Sequence, residues 1–148
     1  MEILLRRDDV NVNKADNDDR TPLSIAAQYG REEVLKILLG RGDINPDKPG
    51  KTPLWWAALN GHEGVVEILL GRDDIDPDKA DEDGRTPLCC AAFRGHEGVA
   101  RILLGRDDVN PNRLDRGGQT PRLLAASSGH TGVVALLSSP ASATPGIA

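Results

Sequence analysis

The sequence predicts an all-α repeat protein, an α-solenoid in which pairs of short helices stack in a row. The segment GRTPLCCAAFRGHEGVARILLGRDD nearly repeats the earlier segment GKTPLWWAALNGHEGVVEILLGRDD. A Thr-Pro pair, followed by a glycine, also recurs at Thr21 and Gly30, Thr52 and Gly61, Thr86 and Gly95, and Thr120 and Gly129. Its intervals of 31, 34 and 34 residues are typical of repeat architectures.

Each unit is predicted to begin with a short helix. A threonine hydroxyl can cap the first turn, and proline suits the first helical position. From Thr86, TPLCCAAFRG predicts a helix of about two turns, which Gly95 ends in the left-handed conformation. HEGVARILLG predicts a second helix that ends at Gly105. This helix needs neighbours on more than one side, because apolar residues surround much of it: Val99, Ile102, Leu103 and Leu104.

Stacking supplies those neighbours. Two helices this short are unstable alone, whereas a row of identical pairs buries a continuous core. The connecting segment RDDIDPDKADEDGR alternates isolated apolar residues with acids, proline and glycine, which is typical of a projecting hairpin finger.

Two fingers depart from this pattern. The segment GDINPDKPGKT lacks three residues present in DDIDPDKADEDGRT, so we expect a stubby finger that leaves a gap in the row. Asp19 replaces the finger glycine found at Gly84. Aspartate tolerates left-handed geometry at some cost, so we expect that finger to form.

Composition narrows the class of protein. The 148 residues, 39% of them hydrophobic and 28% charged, fit one soluble globular domain. There is no run of eighteen apolar residues for a membrane span, and the N-terminus does not resemble a secretory signal. We therefore expect a cytoplasmic or nuclear protein. The net charge of −5 repels phosphate and argues against nucleic acid as a partner.

The sequence offers no catalytic group. The only cysteines, Cys89 and Cys90, are adjacent, which excludes a disulfide scaffold, and no zinc-site spacing is present. We expect Cys90 in the core and Cys89 partly buried. No phosphate-binding glycine loop and no nucleophile beside a base is evident, so an enzyme is not predicted.

Metal sites and cofactors are not predicted either. The three histidines, His62, His96 and His130, come one per unit and are too far apart to share a zinc ion, so a structural role is expected. A calcium loop aligned on Gly84 would end at Cys90, where a carboxylate is needed.

The pattern D-x-x-G-x-T-P-L-x-x-A-A-x-x-G-H resembles the ankyrin repeat, and it covers roughly residues 2–139. The segment LLGRDDVNPNRLDRGGQTP further resembles the arrays of fungal ankyrin proteins. The resemblance implies units of two antiparallel helices with a β-hairpin finger at right angles, stacked into a curved slab whose concave side binds another protein. We expect one domain, 1–139, made of a partial repeat 1–16, three repeats, 17–47, 48–81 and 82–115, and a capping repeat 116–139, before a disordered tail 140–148.

Several positions depart from the family. Where it often has histidine after Thr-Pro-Leu, this chain has Ser24, Trp55, Cys89 and Leu123. We expect Trp55 to substitute by packing, and we assign Trp56 to the core. Polar residues at Arg122 and Ser138, where earlier copies have leucine, suit a terminal cap. At the other end, EILL lacks a partner helix, which suggests a fragment of a longer array and a candidate edge for self-association.

The candidate binding residues are those that vary while their surroundings stay constant. The pair before each stopping glycine varies completely, which predicts that it binds a partner; the alternative is that these residues fill gaps between the first helices. The resemblance places these pairs and the finger tips on the concave side, the finger positions including Asn17, Asp18, Lys48 and Arg116. The predicted partner-binding residues are Arg20, Gln28, Tyr29, Lys51, Trp55, Leu59, Asn60, Glu82, Asp83, Arg85, Phe93, Arg94 and Gln119.

These residues predict a protein-interaction module for a partner protein or peptide of mixed or positive charge. The resemblance to fungal ankyrin arrays implies that the module is part of a longer sensor or scaffold protein. An alternative is a structural spacer, which would carry polar groups where Tyr29, Leu59 and Phe93 stand. A third hypothesis, an enzyme or small-molecule binder, needs convergent polar groups beside a deep pocket.

Overall fold

The computed structural model describes residues 12–47 and 50–138, and within them it contains eight helices and no strand. The helices form four pairs joined by short turns. They are α1 (Pro22–Gln28), α2 (Glu32–Leu39), α3 (Pro53–Asn60), α4 (Glu63–Leu70), α5 (Pro87–Arg94), α6 (Glu97–Leu104), α7 (Pro121–Ser127) and α8 (Thr131–Ser138). The predicted all-helical repeat is confirmed.

The threonine caps form as predicted at all four first helices. Thr52 Oγ1 accepts a hydrogen bond from the backbone N–H of Trp55 at 3.1 Å, and Thr86 Oγ1 accepts one from Cys89 at 3.3 Å. Proline fills the first turn in each case. Thr21, Thr52 and Thr86 are buried, so their hydroxyls replace water as acceptors for backbone donors of the first turn, whereas Thr120 is partly exposed.

The glycines that end the first helices also contact a histidine of the next unit. Gly61 and Gly95 adopt left-handed φ angles of 74° and 77°. A Cβ on Gly95 would lie 2.5 Å from Nδ1 of His130, which belongs to the following unit. Gly30 and Gly61 meet His62 and His96 in the same way. Each glycine therefore meets two requirements, positive φ and a close approach, and the histidines have the structural role predicted for them.

Arginine residues connect the second helices. Arg72 donates to both carboxylate oxygens of Asp74, at 2.9 and 2.8 Å, and to the carbonyl of Leu39 in the preceding unit at 3.1 Å. Arg106 does the same with Asp108 and the Leu70 carbonyl. The hydrogen bonds from Arg72 and Arg106 lower the pKa of the two aspartates. Each arginine satisfies a carbonyl at the C-terminal end of its neighbour's helix.

The helices lie in two layers. First helices contact one another along the row, α1 to α3 to α5 to α7, and second helices do the same, α2 to α4 to α6 to α8. The first helices contact one another more extensively, because pairs of buried alanines such as Ala57-Ala58 and Ala91-Ala92 allow close approach. We call the layer of first helices the inner layer, or inner side.

The fingers are turns that project from the inner layer. In the third finger (residues 81–85), Asp81 N–H donates to the carbonyl of Arg85, and Gly84 N–H donates to Asp81, both at 3.0 Å. The first finger (16–20) forms the same pair of bonds with Asp19 at a φ of 62°, which confirms the expectation for that position. The second finger (48–51) includes Lys48 and Pro49, which lie outside the described residues.

The C-terminal end combines a polar cap with exposed apolar groups. Arg122 Nε donates to Ser138 Oγ at 2.7 Å, so the two predicted polar replacements bond to each other. Leu123 and Leu114, however, are 48% and 58% exposed. The tail, predicted to be disordered, and the N-terminal EILL edge lie outside the described residues.

Candidate binding surface

The two arginines that directly precede a Thr-Pro pair, Arg20 and Arg85, reach over the first helix that follows. Arg20 donates to the side-chain oxygen of Gln28 at 3.0 Å, and the Arg85 guanidinium lies 5.3 Å from the centre of the Phe93 ring. Finger bases and helix ends, predicted separately as binding positions, are therefore in contact.

The first of two neighbouring clefts, the aromatic cleft, has a volume of about 250 Å³. Phe93, which is 39% exposed, lines it beside Leu59, a partly buried residue that packs against the core. The full lining is Lys51, Trp55, Leu59, Asp81, Asp83, Arg85, Cys90, Phe93 and Arg94. Seven predicted binding residues thus share one concavity.

The second cleft, the finger notch, lies between the first and third fingers and has a volume of about 240 Å³. Its lining includes Gly50 and Lys51, which end the segment where the sequence is three residues short. It is lined by Asp18, Asp19, Arg20, Gly50, Lys51, Trp56, Asp81, Glu82 and Asp83.

The two tryptophans follow the expectations only in part. Trp55, expected both to substitute by packing and to bind a partner, is buried with 7% of its surface exposed, and it also lines the aromatic cleft. Trp56, assigned to the core, is only partly buried and lines the finger notch. The rings meet edge to face with centroids 4.9 Å apart. The Lys51 ammonium lies 5.0 Å from the Trp55 ring centre and 5.8 Å from that of Trp56, between the two clefts.

Four predicted residues lie outside the clefts. Tyr29 is 57% exposed at the end of α1, and Gln119 is exposed in the last finger. Asn60 Nδ2 donates to the carbonyls of Gln28 and Trp56, at 3.2 and 3.1 Å. Gln28 and Asn60 therefore contribute to packing between α1 and α3, as the alternative of gap filling between first helices expects.

Comparison with protein families agrees with this architecture. A family model described as ankyrin repeats, in three copies, matches residues 1–81 and 73–146. The chain belongs to the ankyrin repeat family. Ankyrin repeats are generally protein–protein interaction modules and typically not enzymes. No curated protein matches the chain. None of the helices in the described part is both long and apolar enough to cross a membrane.

The cysteines of this ankyrin domain are packing residues. Cys90 is buried as predicted, whereas Cys89, expected to be only partly buried, is fully buried against the Thr86 cap. Burial raises the pKa of both thiols, which disfavours the nucleophilic thiolate. Within residues 12–47 and 50–138, no three histidine, cysteine or acidic side chains are grouped to hold a metal.

The sequence reasoning missed three side chains of the ankyrin finger notch: Asp19, Trp56 and Asp81. Asp19 was considered only for its backbone angle. Trp56 was assigned to the core from its register with Ile25 and Cys90, although the shortened finger that precedes its helix was a signal against full burial.

Proposed function

We propose that this ankyrin domain binds another protein or peptide on its inner side, as the recognition segment of a sensor or scaffold. The observation that carries the proposal is the exposure of two aromatic side chains, Tyr29 at 57% and Phe93 at 39%, on the layer that bears both clefts. Aromatic residues and arginine dominate the energetics of protein interfaces.

The two arginines of this surface are held in place by contacts within the domain itself. Arg85 is placed over Phe93, and Arg20 is held by Gln28 and by carboxylates of its own finger, at 3.1 Å from Asp18 and 3.2 Å from Asp16. Side chains already fixed in place lose little further entropy on binding.

The test compares two pairs of exposed apolar residues. The Tyr29→Ser/Phe93→Ser variant should lose a partner captured from the source cells, and calorimetry with that partner, purified, should show at least a tenfold weaker Kd. The Leu114→Ser/Leu123→Ser variant also removes two exposed apolar groups, but outside both clefts, and it should bind normally. Leu59 is unsuitable because it packs against the core.

The melting temperature decides how the result is interpreted. Both variants should melt within a few degrees of the wild type, because exposed side chains contribute little to stability. A drop of more than about 10 °C for the Tyr29/Phe93 variant would make these residues part of the core. Equal binding by both variants, or no partner for the wild type, would favour the spacer hypothesis.

A further inference from the structure

The finger notch lies beside the finger that is short in sequence. Four residues, KPGK at 48–51, precede Thr52, where seven, KADEDGR at 79–85, precede Thr86. The first and third fingers line a common concavity together with Gly50 and Lys51. The partly exposed Trp56 forms part of its wall.

Among the described residues that line this notch, carboxylates outnumber cations. They are five acidic side chains, against Arg20 and Lys51. Arg20 is already engaged, because it pairs with Asp16 and Asp18 and bonds Gln28. In the described part of the chain, Glu82 and Asp83 have no ion-pair partner, and both are exposed. These two carboxylates therefore give the notch negative charge that no described cation neutralises.

Trp56, in the wall of the notch, also favours a positively charged ligand. The electron-rich face of tryptophan attracts an ammonium or guanidinium group within about 6 Å of the ring centre. The chain's own Lys51 ammonium lies 5.0 and 5.8 Å from the two indole ring centres. Trp56 Nε1 is buried and makes no hydrogen bond within the described residues.

We propose that the finger notch receives an arginine or lysine side chain from a basic segment of the partner protein. This inference rests on the proposed function and specifies the chemistry of the partner. The two clefts share Lys51, Asp81 and Asp83, so a segment anchored in the notch continues over Phe93. The partner segment therefore combines a basic residue with a neighbouring apolar one.

A short peptide tests the notch without the natural partner. The probe is acetyl-(Gly-Arg)4-amide, with (Gly-Gln)4 and (Gly-Glu)4 as comparisons, titrated while the indole N–H signals of Trp55 and Trp56 are followed by NMR. The arginine peptide should shift the Trp56 signal saturably, and its affinity should fall with added salt because the interaction is electrostatic. The glutamate and glutamine peptides should leave that signal unmoved.

Charge-matched variants separate the notch from the overall acidity of the chain. Glu82→Gln/Asp83→Asn should weaken binding of the arginine peptide at least fivefold. Glu33→Gln/Glu67→Gln removes the same charge from exposed positions on α2 and α4, and it should change the affinity less than twofold. Equal losses in the two variants would show general attraction and overturn the proposal.

Lengthening the second finger tests whether shape or overall charge controls binding. Replacing residues 48–51 by the sequence of 79–85 makes this finger as long as the third and changes the local charge from +2 to −1. We expect binding of the arginine peptide to be lost, although the protein becomes more acidic. Stronger binding would overturn the proposal.

The outcome for the notch is distinguishable from the outcome for the proposed function. If the Tyr29/Phe93 variant loses its partner while Glu82→Gln/Asp83→Asn keeps full affinity for that partner and for the arginine peptide, the domain binds a protein but the notch does not take a basic side chain. If the arginine peptide binds at the notch while no partner depends on Tyr29 and Phe93, the proposed surface fails and the notch stands alone.

Discussion

At the scale of single residues, one repeat position shows how asparagine and aspartate differ. Asn13 Oδ1 accepts from the N–H of Asn45, and its Nδ2 donates to the carbonyl of Asp43, both at 2.7 Å. Asp78, in the same register, accepts from the N–H of Asn110 at 2.7 Å. Its second oxygen is buried and has no hydrogen-bond partner within the described residues. The carboxylate thus makes one of the two bonds that an amide makes.

Asp78→Asn should therefore stabilise the fold by about 1 kcal/mol at neutral pH, since it adds a donor and removes a partly buried charge. Burial raises the pKa of Asp78 above its ordinary value of 3.8, so wild-type stability falls as pH rises through the folded pKa. The gain from the variant should be largest at neutral pH and should shrink towards pH 4. Urea unfolding at both pH values checks this, with the exposed Asp73→Asn as the control for charge.

At the scale of helices, the left-handed glycines connect the end of one first helix to the start of the next unit's second helix. Gly95 and Gly129 share a φ of 77°. A Cβ on Gly95 would meet the His130 ring at 2.5 Å, whereas a Cβ on Gly129 would have no atom within 4 Å in the described part of the chain. An alanine at Gly129 would therefore report backbone strain alone, whereas an alanine at Gly95 would report strain and steric contact together.

Gly129→Ala should cost about 1–2 kcal/mol, the strain of a left-handed alanine. Gly95→Ala should cost a further 1–3 kcal/mol or so because the His130 ring must move. In a His130→Ala background, that excess should disappear. Chemical denaturation of the four variants measures both terms, and an excess that survives the removal of His130 would place the clash elsewhere.

Helix boundaries could be predicted from the sequence because their causes are local. Thr86, its proline and Gly95 act within one short segment, so the pattern alone defines α5. The roles of Trp55 and Trp56 could not be predicted in this way. Which of two adjacent residues is covered depends on the neighbouring unit and on the second finger, and that finger is three residues short.

In the candidate surface, too, some residues could be predicted from the sequence and others depend on contacts between units. Phe93 and Arg85 were predicted from variability and from the family resemblance, and the structure places them in contact. The hydrogen bonds of Asn60 to Gln28 and Trp56 were not predictable, because they depend on how closely α1 and α3 approach.

At the scale of the whole molecule, each unit obtains part of its core from its neighbours. Leu103 in α6 is fully buried between α4 and α8. Leu137, at the same position in α8, is only partly buried, and Leu123 at that end is 48% exposed. The same leucine should therefore contribute differently according to its place in the row.

Leu103→Ala should lower the free energy of unfolding by about 2–5 kcal/mol, because the cavity it leaves lies between two neighbouring helices that cannot both close over it. Leu137→Ala removes the same atoms from a helix with a described neighbour on one side only, and it should cost less than half as much. Urea titrations followed by circular dichroism measure both values. Equal losses would mean that α8 is covered as fully as α6, which would contradict this account.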